Sequence, residues 1–130
     1  MLPQVDTEFL EERAPGYQVC SEAGMVCIVI PALALPPGFD HPTSDLLLRL
    51  PGGYPDVQPD MWWFYPPVRR MDGVTIPATE SHEQHLGRVW QRWSRHLQPH
   101  QWQSGIDCLR TYVALVQKEL RRAAPAAPNP

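Results

Sequence analysis

The stretch Arg92-Trp93-Ser94-Arg95-His96-Leu97-Gln98-Pro99-His100-Gln101-Trp102 places one hydroxyl, two imidazoles, two indoles and two guanidiniums in eleven residues. A serine hydroxyl is a weak nucleophile, and it needs a base and a stabilised oxyanion. Two histidines could take its proton near neutral pH: His96, two residues on, and His85, nine residues back. Arg92 or Arg95 could hold a carbonyl oxygen or the acidic face of a partner. Trp93 and Trp102 could exclude water and protect an ester from hydrolysis. Residues at i and i+2 do not face each other on a helix, so Ser94 and His96 meet only on extended or turning backbone. The plainer alternative is a surface helix that happens to be rich in functional groups.

Other chemistry is weaker. His82, His85, His96 and His100 have spacings seen in zinc sites, but no cysteine accompanies them, and no metal is assigned. The three cysteines Cys20, Cys27 and Cys108 are odd in number and lack CxxC spacing, which predicts reduced thiols. Cys108 reads as a small buried hydrophobe, and it is the fallback nucleophile because a helix N-terminus lowers a thiol pKa. A Ser/His hydrolase ranks low, since there is no G-x-S-x-G turn.

The elements that must position these groups follow from periodicity. Residues 6–13 ("DTEFLEER") predict a short helix with Asp6 as N-cap and Phe9 and Leu10 buried. Residues 17–22 alternate. The run "MVCIVI" at 25–30 reads as a strand buried on both faces. "DLLLRL" at 45–50 and "MWWFY" at 61–65 are further strands, and Trp62 and Trp63 point to opposite faces of the last. With 17–22 as the first strand, short connections favour a four-stranded antiparallel meander. From Ser81 the period changes. Leu86, Val89, Trp90, Trp93 and Leu97 fall at helical spacing, with Ser81 and Gln84 as a capping box and Trp90, Trp93 and Leu97 as core, so 81–97 reads as an irregular segment of helical turns broken near Ser94. Residues 104–122 predict the clearest helix, capped by Ser104 and with an apolar stripe of Ile106, Leu109, Tyr112, Val113, Val116 and Leu120. The order predicts an α+β fold.

These features resemble a known family. A strand leading into "LRLPGGYPDVQPDMWWF", a long excursion, and then "QWQSGIDCLRTYVALVQKEL" is similar to the ubiquitin-conjugating (UBC) fold. That fold has a meander, a "YP…P" flap (here Tyr54 and Pro55) and a tryptophan (here Trp102) before its major helix. The string "WQRWSRH" resembles more closely the bacterial UBC-like group called prokaryotic family E. The resemblance covers residues 5 to 122. It implies a single UBC-like domain over 1–122, without the family's final helices, and leaves 123–130 as an Ala/Pro-rich disordered tail.

The resemblance also implies a site. The family's nucleophilic cysteine lies eight residues before that tryptophan, and counting back from Trp102 reaches Ser94. The His-Pro-Asn motif upstream is missing. Ser94 is therefore the expected acceptor, as an oxyester, of the C-terminus of a ubiquitin-like protein, with His96 or His85 as base and Arg95 at the oxyanion. Implied partners are the ubiquitin-like protein, a ThiF-like activating enzyme that uses the ATP, and a processing peptidase, in operons some of which are antiphage. The alternative is a non-catalytic UBC-fold adaptor for the same partners, docking through the first helix and the flap.

Bulk properties set the bounds. The 130 residues fit one core, with 43% hydrophobic and 19% charged residues. A net charge of -3 without a Lys/Arg run argues against nucleic acid. No membrane-length apolar run and no leader pattern are visible, which predicts a cytoplasmic chain without a cofactor of its own. Sixteen prolines argue against an all-helical bundle.

Overall fold

The computed structural model describes residues 2–126. In chain order these form α1 (Gln4–Arg13), β1 (Gln18–Glu22), β2 (Met25–Ala34), β3 (Thr43–Leu50), β4 (Trp62–Tyr65), β5 (His82–His85), β6 (Arg88–Trp93), a short 3-10 turn (Pro99–Gln101) and α2 (Leu109–Ala123). The fold is α+β, but the sheet has six antiparallel strands rather than four, in the order β1-β2-β3-β4-β6-β5. It curls until the β5–β6 turn meets the end of β1. There Glu22 of β1 accepts from the Leu86 N–H (2.8 Å) and contacts the His85 ring (3.1 Å).

The helical expectation for 81–97 is overturned, because β5 and β6 form a hairpin there. Its two-residue turn, Leu86-Gly87, has positive φ at both positions (52° and 76°), the geometry a right-twisted hairpin favours. The usual Asn-Gly or Asp-Gly signal is absent, and the Leu N–H bonded to Glu22 helps hold the turn instead. The five apolar residues at helical spacing separate accordingly. Trp93 and, partly buried, Leu97 face the main core, Leu86 and Trp90 the opposite side of the sheet, and Val89 is exposed.

Alternation along the strands produces two apolar layers. Ile28, Ile30, Leu46, Leu48, Leu50, Trp62, Phe64 and Trp93 point inward, under α1 and α2. Cys27, Val29, Leu47, Trp63 and Trp90 form a smaller cluster on the outer face. Trp62 and Trp63 do face opposite ways, and both are buried. The "MVCIVI" run is buried on both faces because each layer claims alternate residues.

Each helix starts elsewhere than its sequence signals suggest. α1 begins two residues before Asp6, so Asp6 lies inside the helix and is fully buried. Its carboxylate accepts from the Leu109 N–H (2.9 Å) and the Tyr54 hydroxyl (2.6 Å), which ties α1 to the start of α2 and to the flap. α2 begins at Leu109 with Cys108 as N-cap, so Ser104 does not cap it. The Ser104 hydroxyl bonds the Asp56 carboxylate instead, and Ile106 is exposed. Leu109, Tyr112, Val113, Val116 and Leu120 are buried as expected. α2 runs to Ala123 and Ala124 packs on the core, while the last part of the expected tail, 127–130, lies outside the described residues.

Candidate functional site

Ser94 follows the last residue of β6, half-buried, on extended backbone rather than in a helix. Its N–H donates to the Ala78 carbonyl (3.0 Å), which fixes the backbone. Its Oγ accepts from Arg92 Nε (3.1 Å). Two residues apart on a strand share a face, so the contact that helical spacing forbids is the one strand spacing makes.

Arg92 is itself held. One guanidinium nitrogen is 2.6 Å from Glu83 and another 3.3 Å from the Ser81 hydroxyl. Glu83 also accepts from the Trp63 indole (2.9 Å) and contacts His85 Nε2 (3.1 Å). His85 Nδ1 faces Glu22 (3.1 Å), and Arg49 lies 3.6 Å from Glu22. A polar chain thus runs along the outer face from Glu22 through His85, Glu83 and Arg92 to Ser94. Its i, i+2 steps, Glu83 to His85 and Arg92 to Ser94, follow from the pleat. The Leu86 N–H, helped by His85 and Arg49 against some loss of water, holds the Glu22 carboxyl below the usual carboxylate range. Burial pulls Glu83 upward, but bonds from His85, Trp63 and Arg92 outweigh it and leave that carboxyl lowered too.

Neither expected base is hydrogen-bonded to Ser94. His96 turns away and its Nδ1 lies 2.6 Å from Asp60 at an exposed position. His85 reaches Ser94 only through Glu83 and Arg92. Arg95 is also committed: Nε to Glu119 (3.1 Å), one terminal nitrogen to the Pro77 carbonyl (3.0 Å) and to the Ser94 carbonyl (3.2 Å), with its guanidinium over the Trp93 ring. Trp93 is core.

Trp102 docks the flap. Its Nε1 donates to the Pro55 carbonyl (2.8 Å), and its ring lies between Tyr54 (6.1 Å) and Tyr112 (6.2 Å). Gln58 reaches the Leu97 carbonyl (3.0 Å). The flap and the segment after Ser94 are therefore stitched together, while the contacts of Tyr54, Pro55 and Trp102 are with one another, Asp6 and Tyr112 rather than with Ser94. Burial, then the bond to Asp6, pushes the Tyr54 hydroxyl well above its ordinary range and keeps it a donor.

A sequence profile for Prokaryotic E2 family E matches residues 2–123. The chain belongs to that family. No curated protein and no solved structure matches it significantly. Membership in an E2-like family implies a transferase-type role in ubiquitin-like conjugation, with a ubiquitin-like protein and an activating enzyme as general partners. No helix among the described residues is long and apolar enough to cross a membrane.

For this E2-like chain the cysteines separate clearly. Cys20 is exposed on β1, a strand that does not pair with β6. Cys27 is buried in the outer cluster, and burial raises its thiol pKa. Cys108 is half-buried at the head of α2, its N–H bonded to Thr111 Oγ1 (3.0 Å). Among the described residues no three His, Cys, Asp or Glu side chains are grouped to hold a metal, so His82, His85, His96 and His100 do not converge. Sequence reading missed Glu83, Ser81, Asp60 and the role of Arg92 at the hydroxyl. Period-two spacing from Glu83 to His85 and from Trp90 to Arg92 and Ser94 was the available signal.

Proposed function

We propose that this chain is a UBC-like carrier: it accepts the C-terminal carboxyl group of a ubiquitin-like protein from a ThiF-like activating enzyme and passes it to an acceptor, with Ser94 holding it as an oxyester. In the transfer, Ser94 Oγ forms the ester C–O bond while the bond to the activating enzyme's sulfur or to the adenylate phosphate breaks. The serine proton leaves with the departing group. The chain needs no cofactor for this, since ATP is consumed by its partner. The setting we assign is a bacterial conjugation pathway with a processing peptidase, of the kind that includes antiphage systems.

The observation that carries the reading is Ser94 itself. It stands at the eight-residue offset from Trp102, half-buried just after β6, with a guanidinium N–H on its oxygen. That bond leaves the hydroxyl proton free and favours negative charge on the oxygen during attack. The test is reconstitution of chain, activating enzyme, ubiquitin-like protein and ATP. A heavier band that survives thiols but is lost to hydroxylamine or strong base is expected, and Ser94→Ala should remove it. The same band from Ser94→Ala would defeat the proposal.

A second reading has its own support. His96 is paired to Asp60, and His85 to Glu22 and Glu83, so no histidine serves the Ser94 hydroxyl. This favours a non-catalytic adaptor that binds the activating enzyme or the ubiquitin-like protein. Binding without any covalent band in the same reconstitution would select it.

A further inference from the structure

The polar chain on the outer face raises a question that a structural role alone does not answer: why an arginine is held by two other side chains so that its remaining donor meets a serine. A surface arginine has several rotamers and gains little from a single hydroxyl. Here Glu83 and Ser81 take the two terminal nitrogens, leaving Nε aimed at Ser94 Oγ. Glu83 is fixed in turn by the Trp63 indole and His85, and Trp63 is 3% exposed. The group is preorganised before any partner arrives, which is what stabilising a developing charge requires.

We infer that Arg92 is a catalytic residue of this site, its guanidinium stabilising negative charge on the side-chain atom at position 94, and that Glu83 is its positioning residue. The inference rests on the reading of Ser94 as acyl acceptor and supplies what that reading lacked when the histidines proved to be paired elsewhere. The arrangement favours attack through electrostatics rather than through a local base.

The neighbouring charges decide the sign. Glu83 opposes Arg92, but its carboxylate bonds the far end of the guanidinium while Nε touches Oγ, and the nearer charge dominates at short range. Arg95 adds a second cation beside the Ser94 carbonyl, itself balanced by Glu119. The donor in direct contact is therefore the one that sets the potential at position 94.

The test replaces the serine with a titratable reporter. In Ser94→Cys, the rate of iodoacetamide alkylation at position 94 is followed against pH by peptide mass spectrometry, which separates it from Cys20, Cys27 and Cys108. A thiol beside a guanidinium ionises below the ordinary value of about 8.5. The expected apparent pKa is lower by about one unit, and Arg92→Gln in the same background should restore it. Arg92→Lys, which keeps the charge without the fork, should fall between them and guards against loss of fold. Glu83→Gln, which frees the arginine, should broaden or reduce the shift, whereas a merely structural Glu83 would change melting alone.

Identical pH profiles for Ser94→Cys with and without the added Arg92→Gln change would overturn the inference. The reading beneath it fails separately. A shifted thiol in a chain that forms no adduct with ATP, activating enzyme and ubiquitin-like protein would reject Ser94 as acceptor while upholding the charge-stabilising seat.

Discussion

The two faces of the sheet are held by different forces. The inner face is mainly apolar: Trp62, Phe64 and Trp93 interlock with Tyr112 and the buried leucines beneath two helices, around the few buried polar groups such as Gln91 and Asp6. The outer face has a small apolar patch around Trp63 and Trp90, rimmed by Glu22, Arg49, Glu83, His85 and Arg92. Burial on the inner face scales with area and tolerates some change of shape. The outer face depends on directed bonds, and those bonds lead to Ser94. The inner layer makes the fold, and the outer layer orients Arg92 toward Ser94.

The sharpest separation comes from the inner face. Trp93→Ala should cost about 3–5 kcal/mol, since it removes a fully buried indole that contacts Phe64 and bonds Gln91. Urea unfolding would measure it, and a cost below about 1 kcal/mol would remove the distinction between the layers. Next is the joint between the helices. Asp6→Ala should cost about 2–3 kcal/mol by stranding the Leu109 N–H and the Tyr54 hydroxyl. Asp6→Asn, which keeps an acceptor for one of them, should cost less in the same measurement.

The outer face should show itself through acid. Both Glu22 and Glu83 titrate below the usual carboxylate range in the folded chain. Their contribution is complete above the unfolded carboxylate pKa of about 4.3 and is lost as pH falls through the lower folded values. Denaturant midpoints should therefore decline as pH falls below about 4, and the Glu22→Gln, Glu83→Gln double variant should flatten that decline. An unchanged slope would mean the network holds nothing. Smallest of all is the exposed pair. His96→Gln should alter stability by less than about 0.5 kcal/mol and leave adduct yield intact, because His96 faces Asp60 rather than Ser94. A large loss of adduct in that variant would return His96 to the site as a base.

These layers also explain what the sequence could and could not say. The β2, β3 and β4 strands and the α2 stripe were legible because one face of each is uniformly apolar. The Trp102 offset points to position 94 through resemblance alone. The β5–β6 hairpin was not legible, for two reasons. Its turn is Leu86-Gly87 rather than a residue pair with intrinsic preference for positive φ, and its tryptophans serve opposite layers at a spacing of three that imitates a helix. A helical reading of that segment sets Arg92 and Ser94 on different faces and hides the contact between them. Asp6 illustrates a similar ambiguity: an aspartate near a helix start reads as that helix's own cap, but its carboxylate accepts from the first N–H of the other helix.

The proposal that position 94 carries the acyl group is tested most directly by mass-spectrometric mapping of the adduct formed with ATP, activating enzyme and ubiquitin-like protein. The prediction is a C-terminal remnant of the ubiquitin-like protein on Ser94, absent in Ser94→Ala. A remnant on Cys108 or on Lys118, the chain's single lysine, with Ser94 unmodified, would contradict it.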